Sequence, residues 1–523
     1  MVRQISSKSE SVVKVAELDH HVGEVIELSS SDLERNDGDI SNGDLALKLA
    51  KEGKGITYTE EEESSLVRKL DLNVTLLLCV VYGTQFMDKV TISFTGIMGL
   101  RDDLELKGNQ FSWLTTAFYL GWLSFEFLSV RLLQRFPLMK TMSAFVFVWG
   151  SVQILNAAAA FNFGGMLTAR FFLGAMESAI SPAAVMLTAQ YYKKDEQFQR
   201  NTFWWSSNGV GNILGAALAY GLAKHEESMT IKAWKLLFLV TGIFTLLLSV
   251  ILFFHLPDTP NEAWFLTEKE RKISVERIRV NQQGFGNPKF KRYQAIEAFK
   301  DIRTYLYITH GIISTVPNGA LTSFGSILIK DSFGYSELQA LLLSMPNGAC
   351  QFLSSFFLFY AIKYFGNRTL CGIAGYSVAF IACCLLAFPE NKTAQFVGYV
   401  FSAVVHIGWV TVISMITTNT LGYTKKGVVM GLYLVSYCVG NMIGPQTFQE
   451  KWAPDYRQSK VIMAACSAAS LFLMVIMYLV NIKENKRRDN LSSDHTTHQP
   501  ELPENYEFMD LTDFENFKFR YVV

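Results

Sequence analysis

Four ionisable residues stand in segments otherwise fit for lipid. Asp88 and Lys89 lie in FMDKVTISF (86–94), and Arg170 and Glu177 lie in RFFLGAMES (170–178). Each such charge costs about 2.5–3.5 kcal/mol at a bilayer centre on insertion scales, so each must face an interior, a partner or water. Arginine offers a planar fork of donors that holds a carboxylate. A carboxyl in low dielectric can take up and release a proton near neutral pH. A cation for an organic anion, beside acids that cycle protons, is a minimal proton–anion symport site. The opposing reading is a structural charge network that ties helices together. Buried pairs add little stability over an apolar replacement, which makes a purely structural role costly.

Arg170 and Glu177 are two helical turns apart, about 10 Å along the axis, with Gly174 between them. They read as two stations on one wall, Arg170 for an anion and Glu177 for a proton. Asp88 joins Glu177 as a candidate proton carrier, and Lys89 joins Arg170 as a candidate anion contact. Asn208, Asn318, His406 and Asn441 are the further candidate substrate contacts. Asn, Ser and Thr also bridge packed helices, and a buried histidine also serves as a hydrogen-bonded core residue. Glu126 reads as snorkelling or pairing near the loop after its span. Trp204, Trp205 and Trp409 read as packing or interface anchors.

These residues need helices to carry them. Half of the 523 residues are hydrophobic and 18% are charged, with a formal net charge of zero. That balance fits apolar spans between polar loops and shows no polybasic signature for nucleic acid. The seven cysteines all lie in apolar runs and form no metal-type pair, so no metal site is expected. About twelve apolar runs are long enough to span a bilayer. They centre on 72–95, 110–130, 138–160, 164–188, 203–223, 234–256, 303–327, 336–360, 368–388, 394–418, 427–447 and 460–482. Asp88-Lys89 interrupts the first and Pro317-Asn318 the seventh.

The flanking segments are polar. Residues 1–65 lack a signal-peptide core and are too polar to fold alone, so a disordered tail is expected. Residues 257–302 form a long central loop, in which Thr267 and Glu270 make a capping box opening a surface helix that QQGFGNP (282–288) ends. Residues 483–523 form a second tail. Lysine and arginine concentrate in the loops on the side of the termini, which places both termini in the cytosol. The central loop divides the spans into 66–256 and 303–482, six in each. The halves repeat: VGNILG (210–215) parallels VGNMIG (439–444), and the same offset relates Gln110 to Gln339, Phe136 to Phe365, Glu177 to His406 and Arg170 to Tyr399. Six is even, so the copies are parallel. The shared G-x-x-x-G spacing reads as close helix packing.

No Walker A sequence, nucleophile elbow or HExxH occurs. The chain therefore reads as no enzyme, with no cofactor, driven by an ion gradient or by the substrate's own gradient.

Several motifs together resemble the fungal allantoate permease family, in the anion:cation symporter branch of the major facilitator superfamily. They are FMDKVTISFTGIMGL (86–100), RFFLGAMESAISPA (170–183), PDTPNEAWFLTEKERKISVERIRVNQQG (257–284), VPNGALTSFGS (316–326), VGNMIGPQTF (439–448) and LTDFENFKFRYVV (511–523). The resemblance implies an all-α integral membrane protein of the major facilitator fold, with about twelve transmembrane helices in two six-helix bundles. The family is similar to bacterial sugar-acid/proton symporters, in which a first-helix acid and a fourth-helix glutamate carry protons and neighbouring basic residues bind the carboxylate. On matching positions these are Asp88 and Glu177 for protons and Lys89 and Arg170 for the anion, with Asn208 as the fifth-helix polar residue. Two departures stand out. Many members have D-R-x-N where this chain has Asp88-Lys89-Val90-Thr91, and lysine gives a point charge rather than a fork. The basic loop motif after the second helix is degenerate here (VRLLQRFPLMK, 130–140).

The expectation is a monomeric proton-coupled symporter of a small organic anion, working by alternating access. The resemblance implies allantoate, ureidosuccinate, a vitamin or another monocarboxylate as substrate. The partners are that anion, protons and lipid, in the plasma membrane or the endoplasmic reticulum membrane. The alternatives are a non-transporting receptor or sensor on a transporter scaffold and an uncoupled facilitator.

Overall fold

The computed structural model describes residues 58–158, 162–279, 290–493 and 510–523. Among the described residues every regular element is helical. Twelve long rods carry the architecture. In the first half they are α1 (Glu60–Ile97), α2 (Gln110–Arg135), α3 (Leu138–Ala158), α4 (Phe163–Tyr191), α5 (Lys194–Lys224) and α6 (Ala233–His255). In the second they are α7 (Ile302–Ser332), α8 (Glu337–Phe365), α9 (Arg368–Ala387), α10 (Lys392–Asn419), α11 (Tyr423–Gln446) and α12 (Arg457–Ser493).

Ten of the rods are long and apolar enough to cross a membrane. The other two, α2 and α5, are as long but turn polar side chains inward: Ser112, Thr115 and Thr116 on α2, and Ser206, Ser207, Asn208 and Asn212 on α5 are all buried. Their outer faces stay apolar, with Trp113, Leu120, Phe127 and Leu214 exposed. That inside-polar, outside-apolar arrangement is what a helix between lipid and a polar cavity requires.

Successive rods alternate in direction. One end of the molecule, here the terminal face, collects the α2–α3, α4–α5, α8–α9 and α10–α11 connections with the start of α1 and the end of α12. The other is the far face. Asp88-Lys89 does not break α1, and Pro317 sits inside a continuous helix. The rod α1 begins at Glu60, within the segment expected as a tail. Thr59 caps it, accepting the Glu62 N–H at 3.2 Å and donating its own N–H to Glu62. Of that expected tail, residues 1–57 lie outside the described residues, as do QQGFGNP and residues 494–509.

The central segment holds the capped helix Glu268–Arg279, with Thr267 N–H on Glu270 Oε2 at 2.9 Å. A second short helix spans Arg292–Lys300. The first belongs to the first half: Arg277, fully buried, binds Glu63 of α1 at 2.8 Å and Glu196 of α5 at 2.6 Å. The second belongs to the other half: its Glu297, with Asp301 and Asp513, surrounds the buried Lys425 of α11 at 2.9, 3.1 and 2.7 Å.

The repeat is visible in the packing. In the first half α1 crosses α5, and a Cβ added at Gly211 would lie 2.0 Å from the Gly83 carbonyl oxygen. In the second half α7 crosses α11, and a Cβ at Gly440 or Gly444 would lie 2.2 or 2.4 Å from the carbonyl oxygens of Ile312 or Val316. Both glycines of the second-half G-x-x-x-G thus serve backbone contact, while in the first half Gly211 does and Gly215 faces the Met87 side chain, its added Cβ 3.0 Å from Met87 Cγ. Both α4 and α10 are interrupted by one turn, after Glu177 and after Ser402. In α4 the cause is Pro182, which has no N–H for the Ser178 carbonyl.

Candidate functional site

Where the halves meet, two cavities lie side by side. Lys89, Thr115, Tyr119 and Arg170 line the smaller. Asn212, Asn318, Asn347, Gln351, Tyr399 and His406 line part of the larger. Thr322 of α7 borders both.

Of the four charged candidates, Lys89 and Arg170 line the smaller cavity, and Glu177 and Asp88 line neither. Arg170, on α4, is 2% exposed, and its guanidinium stands over the Phe238 ring at 5.1 Å. Its Nε and Nη2 have no hydrogen-bond partner. Lys89, on α1, points its Nζ to Glu177 Oε2 at 3.7 Å and stands 4.2 Å over the Trp122 ring. That indole donates to Glu126 at 2.7 Å, so Glu126 is paired within its own helix. Glu177 is fully buried at the end of the first segment of α4, and neither of its carboxylate oxygens receives a hydrogen bond. Gln85 of α1 donates to the Glu177 carbonyl at 3.2 Å, beside the break in α4.

Asp88 lies elsewhere. It is fully buried and faces α3 and α6, accepting from Gln153 Nε2 at 3.0 Å and Thr245 Oγ1 at 3.3 Å. Neighbours on a helix point about 100° apart, so Asp88 and Lys89 serve different walls. Among the described residues no ion pair joins Asp88 to Arg170, or Arg170 to Glu177.

The larger cavity is amide-rich. Asn318 donates to Asn441 Oδ1 at 2.8 Å, and Asn441 donates to the Tyr437 carbonyl, so Asn441 orients Asn318 from behind. His406 meets the Ala403 carbonyl through Nδ1 and Ser355 Oγ through Nε2 at 3.0 Å. Asn208 is buried but lines neither cavity. One turn along α5, Asn212 does, with its amide on the Ser344 carbonyl at 3.5 Å. Sequence reasoning missed Gln153, Thr245, Thr322 and Gln351 as neighbours of the site. Gln153 carried a readable signal, an amide in an otherwise apolar third span.

Contacts between the halves flank the cavities on both sides. Toward the far face they are polar: Ser93 and Ser326 bond each other at 2.7 Å, Lys330 holds the Ile97 carbonyl at 2.9 Å, and Arg101 pairs with Asp331 at 3.6 Å. Toward the terminal face they are aromatic. Trp205 stacks on Trp409 at 4.7 Å, and Tyr119 meets Tyr437 at 6.2 Å.

A family model described as Major Facilitator Superfamily matches residues 78–445. The chain belongs to the Major Facilitator Superfamily. Within that superfamily it is 41% identical to the allantoate permease of Saccharomyces cerevisiae, over 92% of this chain and 90% of that one. It is 42% identical to an uncharacterized transporter, C417.10, of Schizosaccharomyces pombe, over 93% and 96%. Similarity to the S. cerevisiae thiamine pathway transporter THI73 is lower, at 31% over 91% and 89%. The chain is thus a multi-pass membrane transporter protein of the allantoate permease family, not an enzyme. Among solved major facilitators, a D-xylose-proton symporter aligns with a TM-score of 0.59 at 13% identity, covering 77% of this chain and 97% of that one. A bacterial homolog of the human lysosomal transporter Spinster gives 0.55 at 16%, over 77% and 94%. At such identities the likeness shows the fold alone.

Proposed function

We propose that the chain is a proton-coupled symporter for a small organic anion, with Arg170 and Lys89 as the anion site and Glu177 and Asp88 as the proton site. The observation that carries this reading is the buried guanidinium of Arg170, with two donor nitrogens unpartnered at a cavity it shares with Lys89. A buried donor without a partner costs about 1–3 kcal/mol, more when charged. A carboxylate supplies what the fork lacks.

Charge balance supports the coupling. Lys89 and Arg170 offset Asp88 and Glu177, so the four residues on their separate walls sum to neutral when all are ionised. An incoming anion adds one negative charge in a setting where an unpaired charge is expensive. A proton on Glu177 cancels it, and Lys89 turns from Glu177 to the anion. Loaded with both, the site is neutral again and the halves can rock about it. The polar contacts at the far face and the aromatic contacts at the terminal face are the two gates. The basic loops support a cytosolic terminal face, in the plasma membrane or the endoplasmic reticulum membrane, with the single chain as the working unit. The name of the similar allantoate permease supports a carboxylate with a polar body, for which the amides of the larger cavity offer contacts.

The test is uptake of a panel of labelled carboxylates, allantoate and ureidosuccinate among them, into vesicles holding the purified chain. Arg170→Ala should raise KM for the accepted carboxylate by about tenfold or more, as loss of a charge-assisted hydrogen bond worth roughly 1.5–3 kcal/mol requires. An unchanged KM would remove Arg170 from the anion site. Ligand binding without flux would make the chain a receptor.

A further inference from the structure

The short helix Arg292–Lys300 has its polarity reversed for a helix bathed in water. Its inward face is polar and held. Gln294 is fully buried, accepts the Thr424 N–H at 3.0 Å and donates to the Asp510 carbonyl at 3.0 Å. Glu297 receives Lys425 at 2.9 Å and the Thr512 hydroxyl at 3.0 Å. Its outward face is apolar. Tyr293, Ile296 and Phe299 are 46, 46 and 52% exposed, and Phe290 and Ile302 extend the row at either end at 70 and 60%. Five large apolar side chains in one exposed stripe mark an interaction surface rather than a solvated face. The helix cannot roll to hide them, because Gln294 and Glu297 fix its other side.

The position says what covers the stripe. It runs without a gap into α7, whose first turns present Ile302 and Tyr305 outward on a rod that crosses the membrane. The helix packs against α11 at Thr424 and Lys425, where that membrane-crossing rod begins. Arg292 and Lys300, at the two ends of the helix, are exposed, and neither forms an ion pair among the described residues. An apolar stripe flanked by basic residues, level with the start of a span, is the pattern of a helix lying in the membrane interface.

We propose that Arg292–Lys300 is an interfacial anchor on the leaflet at the terminal face, where α1 begins and α12 ends. Its apolar stripe sits in the acyl boundary, and Arg292 and Lys300 sit on anionic headgroups. This rests on the chain being a membrane protein and not on which solute it carries.

The test places a bimane fluorophore on Ile296→Cys, and separately on Phe299→Cys, in the full chain. Labelled wild-type protein gives the background from the native cysteines. The protein is reconstituted in phosphatidylcholine vesicles with and without phosphatidylserine, using lipids brominated near the top of the acyl chain. Both positions should lose fluorescence to the brominated lipid beyond background. The loss should be larger with phosphatidylserine, and Arg292→Gln with Lys300→Gln should remove that difference. Quenching by aqueous iodide but not by brominated lipid would show a water-facing stripe and overturn the proposal. Quenching by neither would show the stripe covered by protein, another part of this chain or a second copy, and would also overturn it. Equal quenching in the two lipid mixtures would overturn the role given to anionic headgroups.

Discussion

Lys89 Nζ lies 3.7 Å from Glu177 Oε2, close enough for an ion pair and too far for a hydrogen bond. The Trp122 ring takes the rest of the ammonium's field at 4.2 Å. Removing one partner of a buried pair costs roughly 3–5 kcal/mol, whereas replacing both by apolar groups can be neutral. Lys89→Met alone should therefore lower the melting temperature of the detergent-purified chain clearly. Lys89→Met with Glu177→Met should recover most of that loss and still not transport. Thermal unfolding and vesicle uptake on the single and double variants check both halves of the statement.

The close crossing of α1 and α5 predicts opposite outcomes at two glycines on one rod. At Gly211 a Cβ would lie 2.0 Å from a carbonyl oxygen, while at Gly221 it would meet nothing within 4 Å. Gly211→Ala should force the rods apart and reduce the yield of folded protein. Gly221→Ala should leave transport intact and add about 0.5–1 kcal/mol through helix propensity. Size-exclusion yield and melting temperature separate the two.

The sequence made much of this packing legible, because glycine spacing and a constant repeat offset are local patterns. It made the charge geometry legible only in part. Adjacent letters such as Asp88 and Lys89 read as one cluster, yet helical rotation sends one to α3 and α6 and the other to α2 and α4. The repeat pairs Glu177 with His406, but the interruption in α10 falls after Ser402, about one turn earlier than that register expects. Glu177 thus closes the first segment of α4, whereas His406 lies in the second segment of α10. Asn441 looked like a substrate contact because its type fits, but only the fold shows that Asn318 stands in front of it.

The C-terminal segment predicts a pH dependence. Asp510 is hydrogen-bonded by the Tyr423 N–H at 2.7 Å and paired with Lys291 at 2.8 Å. Partial burial pushes the Asp510 carboxyl up, but the Lys291 ammonium and that N–H outweigh it and hold the carboxyl below its usual range. A depressed acid stabilises docking above its unfolded value, ~3.9, and the contribution is lost as pH falls through the lower folded value. The hydrogen bond to Asp510 raises Lys291 above its ordinary value, so its contribution persists through neutral pH and is lost only at strongly basic pH. Hydrogen-exchange protection across residues 510–523, taken relative to the intrinsic rate at each pH, should therefore hold from neutral to mildly acid pH and fall only in strong acid. Asp510→Asn should weaken protection already at neutral pH.

The central claim is that Glu177 couples a proton to the anion. Vesicles holding the wild-type chain, acidic outside, should accumulate the accepted carboxylate above its equilibrium level. Glu177→Gln should abolish that accumulation while exchange of labelled for unlabelled substrate across the membrane continues. Accumulation that survives Glu177→Gln, or that ignores the imposed pH gradient in the wild type, would contradict the account.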